Sequence, residues 1–463
     1  MLGIVISLIL LMYLAYRGVS VLILAPVLSL LAAGLSGGAP ILATYTQIFM
    51  TALGGYVIKF FPLFLLGAIF GKLMEVSGSA RVIAQWIVSK VGEGQAALAV
   101  VLACGVLTYG GVSLFVVAFA VYPIAASLFA RAGNPKKYIP ATIALGSFTF
   151  TMTALPGTPA IQNAIPAPYF GTDAFAAPLL GLLAGLIMFA GGVGWLNWRI
   201  ARSRAAGEGY GESDQYAEEA ALATAEQNDP APWAAFLPIG VVIGLNLILS
   251  RMVFPAMDFS YLADAVYGGI TIDDVRGIWA IIAALFASIL ALVALNWSRF
   301  AGDLNDTLTQ GVNGSFLPIF NTASEVGYGT VIASLPAFAL IKQGVTGIMP
   351  DVPLVSLAIA VNALAGITGS ASGGMSIALE ALGSTYVQLA EAANVSPELL
   401  HRVAALASGG FDCMPHNGAV ITLLAITSLN HKKSYPDIFM VAVAVPLVAL
   451  TAVIVLGSMV GTA

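Results

Sequence analysis

The residues able to do chemistry in this chain are few, and they are gathered. GGFDCMPHNGAV (Gly409–Val420) sets an aspartate, a histidine and an asparagine beside proline and glycine. LTYGGVSLF (Leu107–Phe115), LPGTPAIQNA (Leu155–Ala164) and TGSASGGMS (Thr368–Ser376) gather hydroxyls and amides around glycine, joined by proline in the second. Glycine and proline interrupt helices. An interrupted helix leaves N–H groups unpaired and partial positive charge at its N-terminus. Two such ends facing one cavity would hold a carboxylate without a buried Arg or Lys, and His416 is the one basic residue in the four stretches. The candidate substrate ligands are Thr108, Tyr109, Ser113, Thr158, Gln162, Asn163, Ser370, Ser372, His416 and Asn417. Gly110, Gly111, Gly157, Gly373 and Gly374 would let backbone approach the ligand. The chemistry is non-covalent capture of a small organic anion bearing hydroxyls.

Embedded ionisable groups are expensive, and so are usually functional or paired. Asp412 and His416 lie four apart, on one face if a helix persists between them. Either would bind and release a proton as part of a coupling relay, with Glu325 and Glu380 as the other embedded acids. The competing reading makes Asp412 a cap for the broken helix and His416 a satisfied core histidine.

The elements that must position these groups are membrane helices. The chain has 463 residues, 59% hydrophobic and only 9% charged, where a soluble domain has about 25% charged. Apolar runs such as Ala177–Trp198 and Gly277–Trp297 are long enough to cross a bilayer. MLGIVISLILLMYLAYRG lacks a basic start and a small-residue cleavage site, so a retained first helix is expected there. A net charge of −5 without a basic aromatic stripe argues against nucleic acid as a partner. Two cysteines are too few for a disulfide framework, and three histidines without ligand spacing predict no metal site. No G-x-S-x-G element appears, and an intramembrane aspartyl protease would need a second aspartate beside Asp412, so no enzyme is expected. No cofactor is expected either. The coupling ion is H⁺ on this reading, with Na⁺ an alternative because unwound carbonyls beside Thr and Ser also bind it. An anion channel could use the same breaks, but would carry currents uncoupled from either gradient.

A repeat organises the helices. Phe61–Ala84 parallels Leu317–Leu340, and Leu107–Phe119 parallels Ile367–Leu379. GNPKKY parallels NVSPELL, and TALPGTPAIQNA parallels DCMPHNGAVITL, all in the same order. Basic RAGNPKK answers acidic EAANVSPE, which makes the halves antiparallel. The expected fold is an all-α polytopic membrane protein of two inverted-topology repeats. Each has a re-entrant helical hairpin and a broken transmembrane helix, divided between a scaffold and a transport domain. Residues 1–198 form the first repeat (scaffold 1–58, transport elements 59–198), 199–232 a cytoplasmic linker, and 233–463 the second repeat (scaffold 233–315, transport elements 316–463). Ala96–Leu107 is too short to cross the hydrocarbon, so a hairpin dipping from the cytoplasm is predicted, with its counterpart at Val352–Ala393 dipping from outside. The positive-inside rule places Arg17, Arg81, Lys90, Arg131, Lys136, Lys137, Arg299, Lys432 and Lys433 in the cytoplasm, and Arg251, Arg276, Lys342 and Arg402 outside with both termini.

These motifs resemble the gluconate permease (GntP) family of the ion transporter superfamily over nearly the whole length, most closely in LTYGGVSLFVVAFAVYP, LPGTPAIQNAIPAPYFGT and GGFDCMPHNGAVITLLAITSLNHKKSYPDI. The resemblance implies proton symport of small hydroxy-carboxylates, an elevator-type mechanism, a homodimer, and residence in the lipid bilayer of the bacterial inner membrane. Gluconate members carry an acid after the Leu-Phe of the first hairpin, whereas Leu114–Phe115 here precedes VVAFAVYP. That departure, with MPHNGAVITLL, resembles the 3-hydroxybutyrate-type branch. Gluconate or another sugar acid is the alternative substrate.

Overall fold

The computed structural model describes residues 2–17, 19–36, 39–211, 229–300, 302–348, 352–415 and 417–460. Among these residues the chain is helical and contains no strand. Low charge and long apolar runs leave little alternative in a lipid solvent, because only helices satisfy their own backbone within one segment. Among the described residues, six helices are long and apolar enough to cross a membrane: Ile41–Val76, Leu114–Arg131, Pro178–Ala205, Pro232–Ala256, Ile272–Leu295 and His431–Met459. The outward surfaces of these helices are apolar, with Leu42, Ile58, Leu186, Phe286, Leu290 and Val448 exposed. In water such a surface would drive aggregation; against acyl chains it is the expected coat.

Two long helices form the spine. Ile41–Val76 packs along Leu304–Ser334, and Gly311 makes the approach possible, since a Cβ there would fall 2.8 Å from the Ile69 Cα. Small residues at a helix crossing let backbones close in where hydrophobic attraction is absent. Leu2–Tyr16 and Val21–Leu35 add a satellite core around Ile4, Leu11, Leu28, Phe49 and Tyr328. Pro232–Ala256 and Ile272–Leu295 pack on each other, and Ile272–Leu295 packs against Ile41–Val76 of the spine. The boundaries expected at 58/59 and 315/316 both fall inside the continuous spine helices, because neither Pro62 nor Pro318 ends the helix that contains it.

The first hairpin is Ala96–Tyr109 followed by Leu114–Arg131, and the second is Pro353–Thr368 followed by Ala371–Ala392. The leading legs, of 14 and 16 residues, reach about 21 and 24 Å, short of the roughly 30 Å hydrocarbon core. Arg199–Ala205, expected to open the linker, instead extends the Pro178–Ala205 helix. Its arginines suit a helix C-terminus, and the Arg199 guanidinium donates to the buried carboxylate of Asp437, Nε to Oδ1, at 2.8 Å. The acidic part of the linker, 212–228, lies outside the described residues.

Candidate functional site

All four of the suspected stretches interrupt a helix. The first hairpin stops at Tyr109 and resumes at Leu114, with Gly111 at φ +91° in the turn. Its close surroundings require glycine: a Cβ on Gly110 would fall 2.6 Å from Ile239, and one on Gly111 would fall 2.8 Å from Pro159. The span that follows runs as Ile139–Ser147 and Phe150–Thr153, loses its helix through Ala154–Ala160, and resumes as Ile161–Ala164. The second hairpin breaks between Thr368 and Ala371, with Gly369 left-handed. The next span ends at Ser408, passes through a short turn at Phe411–Cys413, and restarts at Gly418.

Each hairpin tip is tied to the break that follows it. The Tyr109 hydroxyl donates to the Pro156 carbonyl at 2.7 Å, and the Asn417 amide donates to the Gly369 carbonyl at 2.7 Å. Asn417 also caps its helix, its Oδ1 accepting from the Val420 N–H at 2.9 Å. The breaks touch each other as well. A Cβ on Gly409 would lie 3.0 Å from the Thr153 methyl carbon, so the two interrupted spans meet where both lose their helix.

A fully buried cation holds this junction. Arg402, with no exposed surface, donates Nε and one terminal nitrogen to the Ala176 carbonyl at 3.1 and 2.7 Å. Its other terminal nitrogen reaches Asn163 Oδ1 at 3.1 Å and the Thr153 carbonyl at 3.3 Å. Gly181 leaves the room, since a Cβ there would fall 3.1 Å from Nε. The neighbouring carboxylates, Asp173 and Glu398, both engage Arg251, at 3.0 and 3.7 Å. The guanidinium is therefore solvated by neutral carbonyls and one amide. The charge count assigned Arg402 to the outer side, and within the bundle it is fully buried. Counting basic residues per loop senses the side of the membrane but not depth, and Arg402 is six residues into Pro397–Ser408. Sequence reasoning also missed His401, buried beside it, whose Nδ1 lies 2.7 Å from the Thr172 hydroxyl. The available signal was HR in the middle of an otherwise apolar helix.

The remaining predicted ligands divide into engaged and open groups. Asn163 is spent on structure: its Nδ2 donates to the Thr158 and Ala174 carbonyls at 3.1 and 2.8 Å, and its Oδ1 accepts from Arg402. Thr158 accepts from the Ala160 N–H at 3.3 Å, and Gly157, at φ +83°, donates to the Ala174 carbonyl at 2.8 Å. Thr108 Oγ1 and Gln162 Oε1 are buried without a partner. Ser113 precedes Leu114–Arg131 without capping it. Ser370 caps the second hairpin's trailing leg, accepting from the Gly373 N–H at 3.0 Å, and Ser372 lies 3.4 Å from the Thr322 hydroxyl. Gly374 lets the legs close, since a Cβ would fall 2.2 Å from the Ala365 nitrogen.

Of the four ionisable candidates, three lie among the described residues. Asp412 is buried and accepts from the Gly410 N–H at 2.8 Å. It sits in the short turn Phe411–Cys413, outside the helices Pro397–Ser408 and Gly418–Ile426. His416 itself lies outside the described residues. Glu380 is exposed and accepts from the Tyr169 hydroxyl at 2.8 Å. Glu325 is 3% exposed, and its Oε2 has no hydrogen-bond partner. Among the described residues no cluster of three metal-ligating side chains occurs.

The comparisons agree with this architecture. Residues 1–414 match the family described as GntP family permease. The chain is 45% identical over 461 residues to an uncharacterized transporter, YxjC, of Bacillus subtilis (strain 168), covering 98% of this chain and 97% of that protein. The fold is similar to that of Neisseria gonorrhoeae MtrF, described as illuminating a class of antimetabolite efflux pumps. The TM-score is 0.59 at 13% identity, over 95% of this chain and 94% of that one. A transporter works on a small solute in a lipid environment, and helical interruptions meeting inside a multi-pass bundle are what such a protein needs. The chain belongs to the GntP family of permeases.

Proposed function

We propose that this permease is a secondary active transporter that takes up a small hydroxy-carboxylate together with a proton, and that its substrate is 3-hydroxybutyrate or a related short-chain hydroxy or keto acid. The observation that carries this reading is the junction of the two breaks. There, Arg402 supplies a fully buried positive charge whose hydrogen bonds all go to neutral oxygens, beside a hairpin tip with an orphaned Thr108 hydroxyl. A buried cation whose hydrogen-bond partners are all neutral favours an anion nearby, and so do the interrupted helix ends. The run after Phe115 is apolar, which suits an aliphatic acid better than a polyol.

Movement in this reading is of elevator type. The hairpins and broken spans travel against the spine of Ile41–Val76 and Leu304–Ser334, within a homodimer in the bacterial inner membrane. The two halves are inverted repeats, and the paired ties Tyr109–Pro156 and Asn417–Gly369 sit at matched places in them. Asp412 and Glu325 are the embedded carboxyls available to a proton, and His416 the nearby imidazole in sequence.

The test is uptake of labelled 3-hydroxybutyrate into proteoliposomes under separately imposed pH and sodium gradients, with unlabelled gluconate as competitor. Accumulation under an inward proton gradient, resistant to gluconate, is the expected result. Efficient competition by gluconate would move the substrate to the sugar acids. Movement of a neutral or cationic solute in place of every carboxylate would overturn the reading.

A further inference from the structure

The trailing leg of the second hairpin, Ala371–Ala392, is a 22-residue helix whose N-terminus lies at the tip. That end carries partial positive charge and unpaired N–H groups. A substrate carboxylate would be expected to sit there, yet a protein carboxyl already does. A Cβ on Gly373 would fall 1.3 Å from Glu325 Oε2, so the Glu325 side chain occupies the space a side chain at Gly373 would fill. The Ser370 hydroxyl, the cap of that helix, lies beside the same carboxyl. Glu325 is 3% exposed and its Oε2 is unpartnered. The hydroxyls of Tyr56 and Ser376 face each other nearby without closing a hydrogen bond of ordinary geometry. Glu325 belongs to a spine helix and Gly373 to a hairpin, so this contact joins the two bodies that the proposed transport cycle moves apart.

We propose that Glu325 couples one proton to one anion by mutual exclusion: ionised, its carboxylate serves as the internal anion of the Ser370–Gly374 helix end; neutral, it frees that end for the carboxylate of the substrate. Two ionised carboxylates cannot share one desolvated helix end, so the anion binds with the proton and leaves with it. The inference rests on the proposed carboxylate symport and assigns its coupling to this residue rather than to Asp412.

Other charged groups do not replace Glu325 in this role. Ile41–Val76 brings Tyr45, Tyr56, Lys59, Lys72 and Glu75. Lys72 pairs with Glu75, and Lys59 lies over the Tyr169 ring. Ala371–Ala392 brings Glu380, bonded to Tyr169, with Tyr386 and Glu391. Tyr328 and Asp306 share the helix of Glu325, and Tyr328 meets Ser7 at 2.8 Å. Phe338–Thr346 brings Lys342, and Val21–Leu35 brings no titratable side chain. Of these groups, Tyr56 is within electrostatic reach of the Glu325 carboxyl.

The experiment uses the full chain in proteoliposomes, with labelled 3-hydroxybutyrate as probe. In the wild type, acidic pH should tighten anion binding and an inward proton gradient should drive accumulation. In Glu325→Gln, proton-driven accumulation should fall about tenfold or more, while exchange across the membrane persists and becomes indifferent to pH. Gly373→Ala, which displaces the carboxyl without removing it, should weaken the pH dependence and provides a second variant if the glutamine form does not fold. Infrared spectra without substrate should show a protonated-carboxyl band in the wild type that titrates and is missing from Glu325→Gln. Unchanged accumulation or pH dependence in Glu325→Gln, infrared spectra of the two proteins that show no difference in the carboxyl region at any pH, or accumulation driven by sodium at equal pH would each overturn the inference. Failure of the wild type to move any carboxylate would strike the proposed function itself.

Discussion

The Tyr109 hydroxyl donates to the Pro156 carbonyl across 2.7 Å, so the tip of one helical hairpin is fastened to the point where the next span loses its helix. Proline at 156 cannot continue the ladder, and the residues after it take up turns rather than a helix. Tyr109→Phe keeps the ring and leaves that carbonyl unpaired at depth, at a cost of about 1–3 kcal/mol. The expected result is a lowered melting temperature in detergent and a raised apparent KM for the transported anion. An unaltered melt and KM would mean that the tie is incidental.

Arg402 makes a larger claim on stability. Its guanidinium satisfies carbonyls from Thr153 and Ala176 together with the Asn163 amide oxygen. Arg402→Met removes the donors and strands several buried acceptors at once, each worth about 1–3 kcal/mol. Loss of a monodisperse peak in size-exclusion chromatography is expected. Arg402→Lys keeps the charge but presents a single ammonium in place of a planar fork. It should fold, with transport reduced, and wild-type uptake by the lysine form would show that the fork geometry is dispensable.

Asn417 performs two jobs with one side chain, capping Gly418–Ile426 and holding Gly369. Asn417→Ser retains a capping oxygen and loses the amide donor, whereas Asn417→Ala loses both. The alanine form should be less stable than the serine form by about 0.5–2 kcal/mol, the usual worth of an N-cap. Equal thermal melts for the two would place the cap outside the energetics.

Much of this was legible in the residues, and the part that was not has a physical cause. Glycine and proline act on their own backbone, so the interruptions near Thr108, Pro156, Ser370 and Pro415 could be read locally. Length alone also marked Ala96–Leu107 as too short to span, and the helix there ends at Tyr109. Partners distant in sequence could not be read. Asn163 was expected to face the substrate, but Arg402, 239 residues away, takes its oxygen. Asp412 and His416 would share a face only on a continuous helix, and Asp412 sits in the short turn Phe411–Cys413. Glu325 was visible as an embedded acid, while its seat over Gly373 depends on how a spine helix packs against a hairpin.

Glycines that look alike in sequence separate into two kinds by what surrounds them. Gly374→Ala forces a methyl within 2.2 Å of the Ala365 nitrogen, and backbone cannot step aside as a flexible side chain can. Splaying of the hairpin legs and a loss of about 1–3 kcal/mol are expected. Gly244→Ala, in Pro232–Ala256, meets nothing within 4 Å and should raise stability by up to about 1 kcal/mol. Parallel thermal melts of the two variants test the contrast, and a stabilised Gly374→Ala would disprove the close approach of the legs.

Outside the membrane, the Lys137 ammonium and the Glu208 carboxylate tie the short loop after the first hairpin to the residues just beyond Pro178–Ala205. The hydrogen bond from Lys137, helped by one from Ser203, holds the Glu208 carboxyl below its ordinary value of 4.5. A carboxyl whose pKa is lower folded than unfolded stabilises the fold above the unfolded value and loses that contribution as pH falls through the folded one. The tie should therefore be fully present at neutral pH and be released only in acid, below pH 4.5. Because Glu208 is exposed, the effect should be local, freeing the chain near Gly207 without melting the bundle. Cleavage near Gly207 by an acid-active protease should rise steeply in that range for the wild type, and Glu208→Gln should already be cut readily at the top of it. Equal cleavage of the two proteins at every pH would show that the ion pair does not hold this segment.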